Sequence, residues 1–343
     1  MPLHTHPMFH ALPPYFGGKR RLLGEIFRYL PSPAEAPVLA DCFLGGGSVS
    51  LYAKARGYQV LCNDIAMRSY IVGKALIEND SITLSKEDGV RLFASQTTNT
   101  HFIEEHFCPD VLTRKHAQFL DNAFAVARRI EGERRWLLLL LLIKYIFRMR
   151  PMGNFGAKSV VHQMEEERWD EMNEAFLRDC LTRKIHGHPV ESVEVLREQI
   201  NRGVRSNARM NMAHQLDVFE FLPQIEADIG FFDPPYAGTM AYESALKVVD
   251  QILAGEVTEV RRSAFSGPEA MAFVERMFEA ARHIPIWAVT YGNAVVGLDE
   301  IVALVGKFKK QVTAVELAYI HCSGLAGEES RTKNRELIII GRN

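Results

Sequence analysis

The 343-residue sequence lacks the features of secreted, membrane and metal-binding proteins. Its five cysteines include no Cys-x-x-Cys pair, so we expect reduced thiols and no metal site. The longest apolar run, residues 136–143, is far too short to cross a bilayer. The first residues include His4, His6 and His10 rather than a basic and then apolar leader. We therefore expect a cytoplasmic protein without a membrane segment.

The sequence also has no basic excess, because 40 lysines and arginines face 42 acids and the net charge is −2. This excludes a nucleic-acid-binding protein that is basic over its whole length. A local basic face is nevertheless sufficient for an enzyme that meets nucleic acid over one cleft. The length is sufficient for one substantial core and an inserted second unit.

An apolar run at residues 229–232 leads directly into Asp233-Pro234-Pro235-Tyr236. This pattern predicts a buried strand that ends in an acceptor, a rigid backbone and an aromatic ring. Asp233 and the carbonyl of Pro234 can each accept a hydrogen bond from an exocyclic NH₂ group. Tyr236 offers a flat surface for a base that has left a duplex. An ordinary strand-ending turn is the alternative.

A second strand exit lies upstream, where residues 38–41 lead into Gly45-Gly46-Gly47 and a predicted helix start. Glycines let the backbone approach a ligand, and the start of a helix offers free N–H groups. Residues 58–64 predict another strand, and its final Asp64 lies about twenty residues beyond the glycines, as expected for an acid that holds ribose hydroxyls. Because the loop does not match G-x-G-x-x-G, a nucleoside cofactor without a pyrophosphate fits better than NAD. A tight turn is the alternative.

A third motif, Gly17-Gly18-Lys19, precedes both and is followed by an apolar-periodic stretch that predicts a helix. Lys19 would be free there to pair with a carboxylate.

These three motifs, in this order and at wide spacing, resemble the Dam-type DNA adenine N6-methyltransferases of the alpha motif order. The matching segments are Gly17-Gly18-Lys19, Phe43-Leu44-Gly45-Gly46-Gly47-Ser48 and Asp233-Pro234-Pro235-Tyr236. The resemblance covers nearly the whole chain and is close around the motifs. It implies an α/β fold, with a Rossmann-like sheet that uses S-adenosylmethionine and an inserted, mainly helical target-recognition domain.

The resemblance also implies roles for single residues. Lys19 would meet the carboxylate of S-adenosylmethionine, and Asp64 would hold its ribose. Asp217 resembles the acid that accepts from the cofactor's adenine amine, although its neighbour is Val218 where relatives commonly have an aromatic residue. A helix cap is the alternative for Asp217. The implied cofactor-binding residues are Tyr15, Gly18, Lys19, Asp41, Phe43, Gly45, Gly47, Ser48, Asp64, Asp217 and Val218.

Residues 144–158 mix aromatic and basic side chains without an acid. Many relatives have Arg-x-Asn-x-x-Gly-x-Phe-Asn here. Arg148, Gly153 and Phe155 match this pattern, whereas Arg150 and Gly156 replace the asparagines. The departure leaves the recognition sequence open, because an arginine can bind guanine edges or hold phosphates. The predicted DNA-binding residues are Arg148, Arg150, Asn154, Phe155, Lys158, Arg331 and Lys333.

For domain organisation, we predict a catalytic domain from residues 1–78 and 211–343, with the target-recognition domain at residues 79–210. Helical periodicity within the insert occurs at residues 111–130, 134–147, 165–180 and 190–200. Further strands are expected at residues 286–290 and 337–340.

The implied reaction is direct SN2 transfer of a methyl group to the N6 amine of an adenine flipped out of duplex DNA. Asp233, Pro234, Pro235 and Tyr236 would form the catalytic site. The chain has no Pro-Cys pair, which excludes the cysteine nucleophile of cytosine C5 methylation. N4-cytosine methylation and a DNA-binding module that has lost catalysis stay open, as does a partner restriction endonuclease. Family analogy suggests a monomer.

Overall fold

The computed structural model describes residues 2–15, 17–94, 101–149, 189–236, 242–259, 263–292, 296–318 and 335–343. Within them, seven strands form one sheet. The strands are β1 Val38–Asp41, β2 Gln59–Asn63, β3 Met212–His214, β4 Ile229–Phe232, β5 Ile286–Gly292, β6 Gln311–Ala318 and β7 Arg335–Arg342.

The sheet has the order β3-β2-β1-β4-β5-β7-β6. The first five strands are parallel, whereas β7 runs antiparallel to both of its neighbours. Parallel strands bear side chains on two covered faces, and β1 shows this alternation, since Leu39 and Ala40 belong to two different buried clusters. The α/β fold with a Rossmann-like sheet is confirmed.

Twelve α-helices accompany the sheet in the described part of the chain. They are α1 Leu23–Arg28, α2 Ser48–Arg56, α3 Met67–Val72, α4 Lys86–Arg91, α5 Phe102–Phe107, α6 Arg114–Arg129, α7 Glu133–Met149, α8 Pro189–Asn201, α9 Val218–Phe221, α10 Tyr242–Ala254, α11 Ala270–Ala280 and α12 Leu298–Gly306. A π-helical turn, Gly73–Glu78, continues α3.

Helix α7 contains the longest apolar run, and its residues 137–143 are buried. Its side chains share one hydrophobic cluster with β1 and β2, so this helix packs over one face of the sheet. Lys144 is also buried and donates from Nζ to the carbonyls of His10, at 2.7 Å, and Leu12, at 2.9 Å. The N-terminal segment is therefore fastened to α7. No helix in the described ranges is long and apolar enough to span a membrane.

A second buried lysine stabilises the segment between the π-helical turn and the helices that follow. Lys54 of α2 donates to the carbonyls of Ile77, at 2.7 Å, and Asn79, at 2.8 Å, and pairs with Asp80 at 3.1 Å. Lys54 therefore holds the backbone just before the helices that follow residue 79. The predicted domain boundaries at residues 78 and 211 stay predictions.

Candidate active site

The site lies where the sheet reverses its order. Strand β1 pairs with β2 on one side and β4 on the other, so the connections after β1 and β4 leave in opposite directions. Ligands of open α/β sheets bind at such a switch point, at the carboxyl ends of the strands. A cavity of about 590 Å³ opens there, and the residues after β1, β2 and β4 line it.

The glycine loop follows β1 and bends into α2. Gly45, at φ +52°, and Gly47, at φ +80°, have left-handed backbone conformations that other residues rarely adopt. Tyr15 packs against the loop, because a methyl group added at Gly46 would lie 2.6 Å from the Tyr15 Cβ. Gly47 does not line the cavity and instead precedes the first turn of α2. The loop therefore requires glycines for two reasons, its left-handed turn and the close packing of Tyr15 against it.

Asp64 stabilises the glycine loop from the end of β2. Its Oδ2 accepts the Gly45 N–H at 2.8 Å, and its Oδ1 accepts the Ala66 N–H at 2.9 Å. Each carboxylate oxygen keeps a second lone pair, so Asp64 can still accept hydroxyl groups from a ligand. Asp64 lines the cavity, and its role as the acid that holds ribose hydroxyls stays a prediction.

Asp41 ends β1 beneath the loop, with 1% of its surface exposed. Its Oδ2 accepts a hydrogen bond from Ser50 Oγ at 2.7 Å. Burial raises the pKa of Asp41 to about 7, and the negative charge of Asp233 adds to this, although the Ser50 bond opposes it. A carboxylate held so far from water can favour a cationic ligand group in the cavity.

Lys19 reaches the same cavity from the N-terminal arm. Its Nζ lies 2.8 Å from Asp233 Oδ2 and 3.3 Å from Glu336 Oε1, and it donates to the Gly17 carbonyl at 2.9 Å. Only 3% of its side chain is exposed. The lysine thus pairs with carboxylates of the protein, whereas the sequence predicts that it meets the carboxylate of a cofactor.

Asp233 follows β4 and is held from several sides. Its Oδ1 lies 2.9 Å from both Thr290 Oγ1 and the Tyr236 hydroxyl, each of which can donate. Burial raises the pKa of Asp233, the Lys19 ammonium opposes the rise, and the Glu336 carboxylate adds to it. Pro234 and Pro235 line the cavity next to it. The carboxylate predicted from the sequence is therefore fixed in place.

Tyr236 is 5% exposed, and its ring packs on Tyr291 with 4.8 Å between centroids. Its hydroxyl lies 2.6 Å from Glu336 Oε1. The ring borders the cavity, but most of its surface is covered by the protein. Its predicted role as a stacking surface for a flipped base stays a prediction.

Glu336 was not predicted from the sequence, although it is fully buried beside Lys19 and Tyr236. It is the second residue of β7, and the next residues of that strand, 337–340, are all apolar. A single acid at the start of an apolar strand is the signal that could have identified it, because buried acids are rare without a partner.

The opposite end of the cavity is aromatic. The Asp217 side chain accepts the Phe219 N–H at 2.9 Å and so caps α9, which was the alternative role for this acid. Phe219 stacks on Phe265 at 6.2 Å, and the Arg276 guanidinium lies 4.8 Å from the Phe219 centroid. The aromatic residue missing at position 218 is thus supplied one position later, while Val218 is buried in the cavity wall.

Arg68 is a further residue that the sequence motifs did not indicate. It lies on α3, lines the cavity and is paired with Asp250 of α10. It also contacts Tyr15, whose pKa burial raises to about 12, with Arg68 acting in the opposite direction. Tyr15 is therefore a neutral part of the wall.

Among the predicted DNA-binding residues, the structure describes Arg148 alone, in the last turn of α7. It is buried, with 8% of its surface exposed. Arg150, Asn154, Phe155, Lys158, Arg331 and Lys333 lie outside the described residues.

The strand order of the sheet and the carboxylates at its switch point are consistent with an α/β methyltransferase. A family model for the D12 class N6 adenine-specific DNA methyltransferases matches residues 15–180. The Type II methyltransferase M2.HphI of Haemophilus parahaemolyticus is 26% identical over 334 residues, which cover 96% of this chain and 97% of that protein. The chain is therefore similar to the D12 class of N6 adenine-specific DNA methyltransferases, and these similarities indicate an adenine-specific DNA methyltransferase.

Proposed function

We propose that the protein transfers a methyl group from S-adenosylmethionine to the N6 amine of a flipped adenine in duplex DNA. The observation that carries the proposal is the shared cavity, in which Asp233 faces the glycine loop and Asp64. In this proposal Asp233 binds the amine, Asp64 binds the ribose, and residues 79–210 recognise the duplex DNA.

The chemistry of the cavity residues fits S-adenosylmethionine. The glycine loop allows close approach, Asp64 can accept the ribose hydroxyls, and Asp41 can face the positively charged methionine part. Phe219 and Phe265 form an aromatic wall suited to an adenine ring, beside Asp217. The bound cofactor supplies a methyl group on a sulfonium.

The protein's part in the reaction is positioning. Asp233 and the Pro234 carbonyl each accept a hydrogen bond from one N–H group of the amine. The nitrogen lone pair then leaves conjugation with the ring and points at the methyl group. Asp233 orients the neutral amine and does not deprotonate it. After transfer the nitrogen is cationic and acidic, and its proton can pass to Asp233, because burial raises the pKa of that acid.

Long-read modification sequencing of DNA from a methylation-deficient host tests the proposal. With the wild-type chain, N6-methyladenine should occur at one recurring short motif. N4-methylcytosine at such a motif would instead establish the cytosine alternative. An unmodified genome, in cells that contain soluble protein able to bind S-adenosylmethionine, would contradict the proposal and favour a scaffold without catalysis.

The glycine loop gives a prediction for cofactor binding. Gly46→Ala places a methyl group against the Tyr15 Cβ, so the loop or Tyr15 must move, and we expect S-adenosylmethionine affinity to fall roughly tenfold or more. Calorimetric titration measures the change. Gly24→Ala is the matched control, because a methyl group there meets nothing within 4 Å. This exposed helical site should gain about 1 kcal/mol of stability and keep its affinity. Equal affinities for the two variants would refute the proposed role of the loop.

A further inference from the structure

Glu336 reaches the site because β7 is the reversed strand of the sheet. Strand β7 runs antiparallel to β5, and its Glu336 is paired with Gly292 at the carboxyl end of β5. The first residues of β7 therefore lie at the same sheet edge as the last residues of the parallel strands. This places a fully buried acid beside the Asp-Pro-Pro-Tyr motif.

The hydroxyl of Tyr236 lies within bonding distance of two carboxylates. Glu336 Oε1 is at 2.6 Å and Asp233 Oδ1 is at 2.9 Å. A hydroxyl has one hydrogen and can donate to one of them at a time. The shorter distance is that of a charge-assisted bond, so the proton goes to Glu336.

This choice decides what the Oδ1 atom of Asp233 can accept, while the Oδ2 atom is paired with Lys19 at 2.8 Å. The Oδ1 atom has two lone-pair sites, and Thr290 Oγ1 occupies one of them at 2.9 Å. If Tyr236 donated there as well, both sites would be filled. With the Tyr236 hydrogen on Glu336, the second site remains open to the target amine.

Glu336 also shares the Lys19 ammonium with Asp233. One ammonium between two carboxylates leaves the group with a net negative charge when all three are ionised. Methyl transfer places positive charge on the amine nitrogen, which such a group stabilises.

We propose that Glu336 is a positioning residue for methyl transfer, because it takes the Tyr236 hydrogen and part of the Lys19 charge and so keeps Asp233 open to the amine. The inference rests on the proposed function. It concerns the state of Asp233, whereas the proposed function concerns the reaction itself.

Titratable groups face Asp233 from four parts of the fold besides its own segment. They are Tyr15 and Lys19 of the N-terminal arm, Asp41 of β1, Tyr291 of β5 through Tyr236, and Glu336 of β7. Of these, Glu336 is the buried acid that also bonds Tyr236. Removing its charge should therefore lower the pKa of Asp233 and move the acid limb of the kcat profile to lower pH.

The test compares Glu336→Met and Glu336→Gln with wild type on duplex DNA that contains the motif found by modification sequencing. Methionine fills the space without an acceptor, so Tyr236 turns to Asp233 and kcat falls roughly 10- to 100-fold at unchanged cofactor affinity. Glutamine keeps an acceptor and should lose less. Glu316→Met is the matched control, since Glu316 is exposed on the adjacent β6.

The double variant Glu336→Met/Tyr236→Phe gives the sharpest result. Removing the hydroxyl reopens Asp233, so the double variant should be more active than Glu336→Met alone. A double variant that is equally or less active would overturn the inference, and so would an unshifted acid limb in Glu336→Gln. If Glu336→Met does not fold, the acid limb of Glu336→Gln decides.

One readout is independent of turnover. A crystal structure of the Glu336→Met variant should show the Tyr236 hydroxyl on Asp233 Oδ1 alone, and a hydroxyl bonded elsewhere would refute the inference. An inactive wild type would contradict the proposed function, whereas the position of the hydroxyl tests the role of Glu336 in either case.

Discussion

Asp233→Ala is expected to reduce methyl transfer by at least about 10³-fold while cofactor affinity stays within a few-fold. The variant loses the acceptor that orients the amine and takes up its proton. The glycine loop and Asp64 do not depend on Asp233 for their mutual hydrogen bond. Single-turnover kinetics on motif-containing duplex DNA, together with calorimetric titration of S-adenosylmethionine, separates the two effects.

Asp299→Ala is the matched control for this variant. Asp299 lies in the first turn of α12, is exposed and does not line the cavity, so its loss should leave the rate unchanged. Turnover of Asp233→Ala close to that of the control would remove Asp233 from the reaction.

Asp41→Asn is expected to stabilise the protein without cofactor and to weaken cofactor binding. The folded-state pKa of Asp41 is about 7, well above the ordinary value of 3.8. The folded protein therefore binds a proton that the unfolded chain has released, and stability falls as pH rises from about 4 to about 7. Asparagine is neutral throughout. The stability advantage of the variant should grow by roughly 2–3 kcal/mol between pH 5 and pH 8.

Denaturant unfolding of both proteins at the two pH values measures this difference. At pH 8 we expect S-adenosylmethionine to bind the variant roughly tenfold more weakly, because the carboxylate that faces its positive charge is gone. A variant whose stability runs parallel to wild type across this range would show that Asp41 does not titrate there.

The sequence predicted the strands that carry the site better than the rest of the sheet. Strand β4 has the predicted limits of residues 229–232, and β1 begins at Val38 as predicted, because each is a short apolar run next to an acid. Strand β6 was not predicted. Its residues 311–317 are half-buried or exposed at the sheet edge, and its sequence lacks a continuous apolar run.

For helices after residue 79, hydrophobic periodicity was sufficient to predict where a helix lies. Helices α6, α7 and α8 were predicted nearly at their limits, since each has an apolar stripe. Periodicity does not tell which partner a stripe packs against. The contact of α7 with the cluster that includes β1 and β2 therefore required the three-dimensional structure, and the segment at residues 165–180 lies outside the described residues.

For the site, local motifs predicted Asp233, Asp64 and the glycine loop, because each follows directly from a strand end. Glu336 and Arg68 belong to no motif. They enter the cavity through a reversed strand and a helix contact, which depend on strand order and packing. The pairing of Lys19 with Asp233 is likewise a long-range contact, between the first and the last of the three motifs.

The buried Lys144 connects α7 to the N-terminal arm without involving the sheet. Helix α7 has 17 residues and so spans about 25 Å, and it ends at the segment predicted to read DNA. Five residues before that end, Lys144 donates to the carbonyls of His10 and Leu12, which precede Tyr15 and Lys19 in the sequence. Helix α7, which leads into the segment predicted to bind DNA, is therefore joined directly to the arm that carries Tyr15 and Lys19.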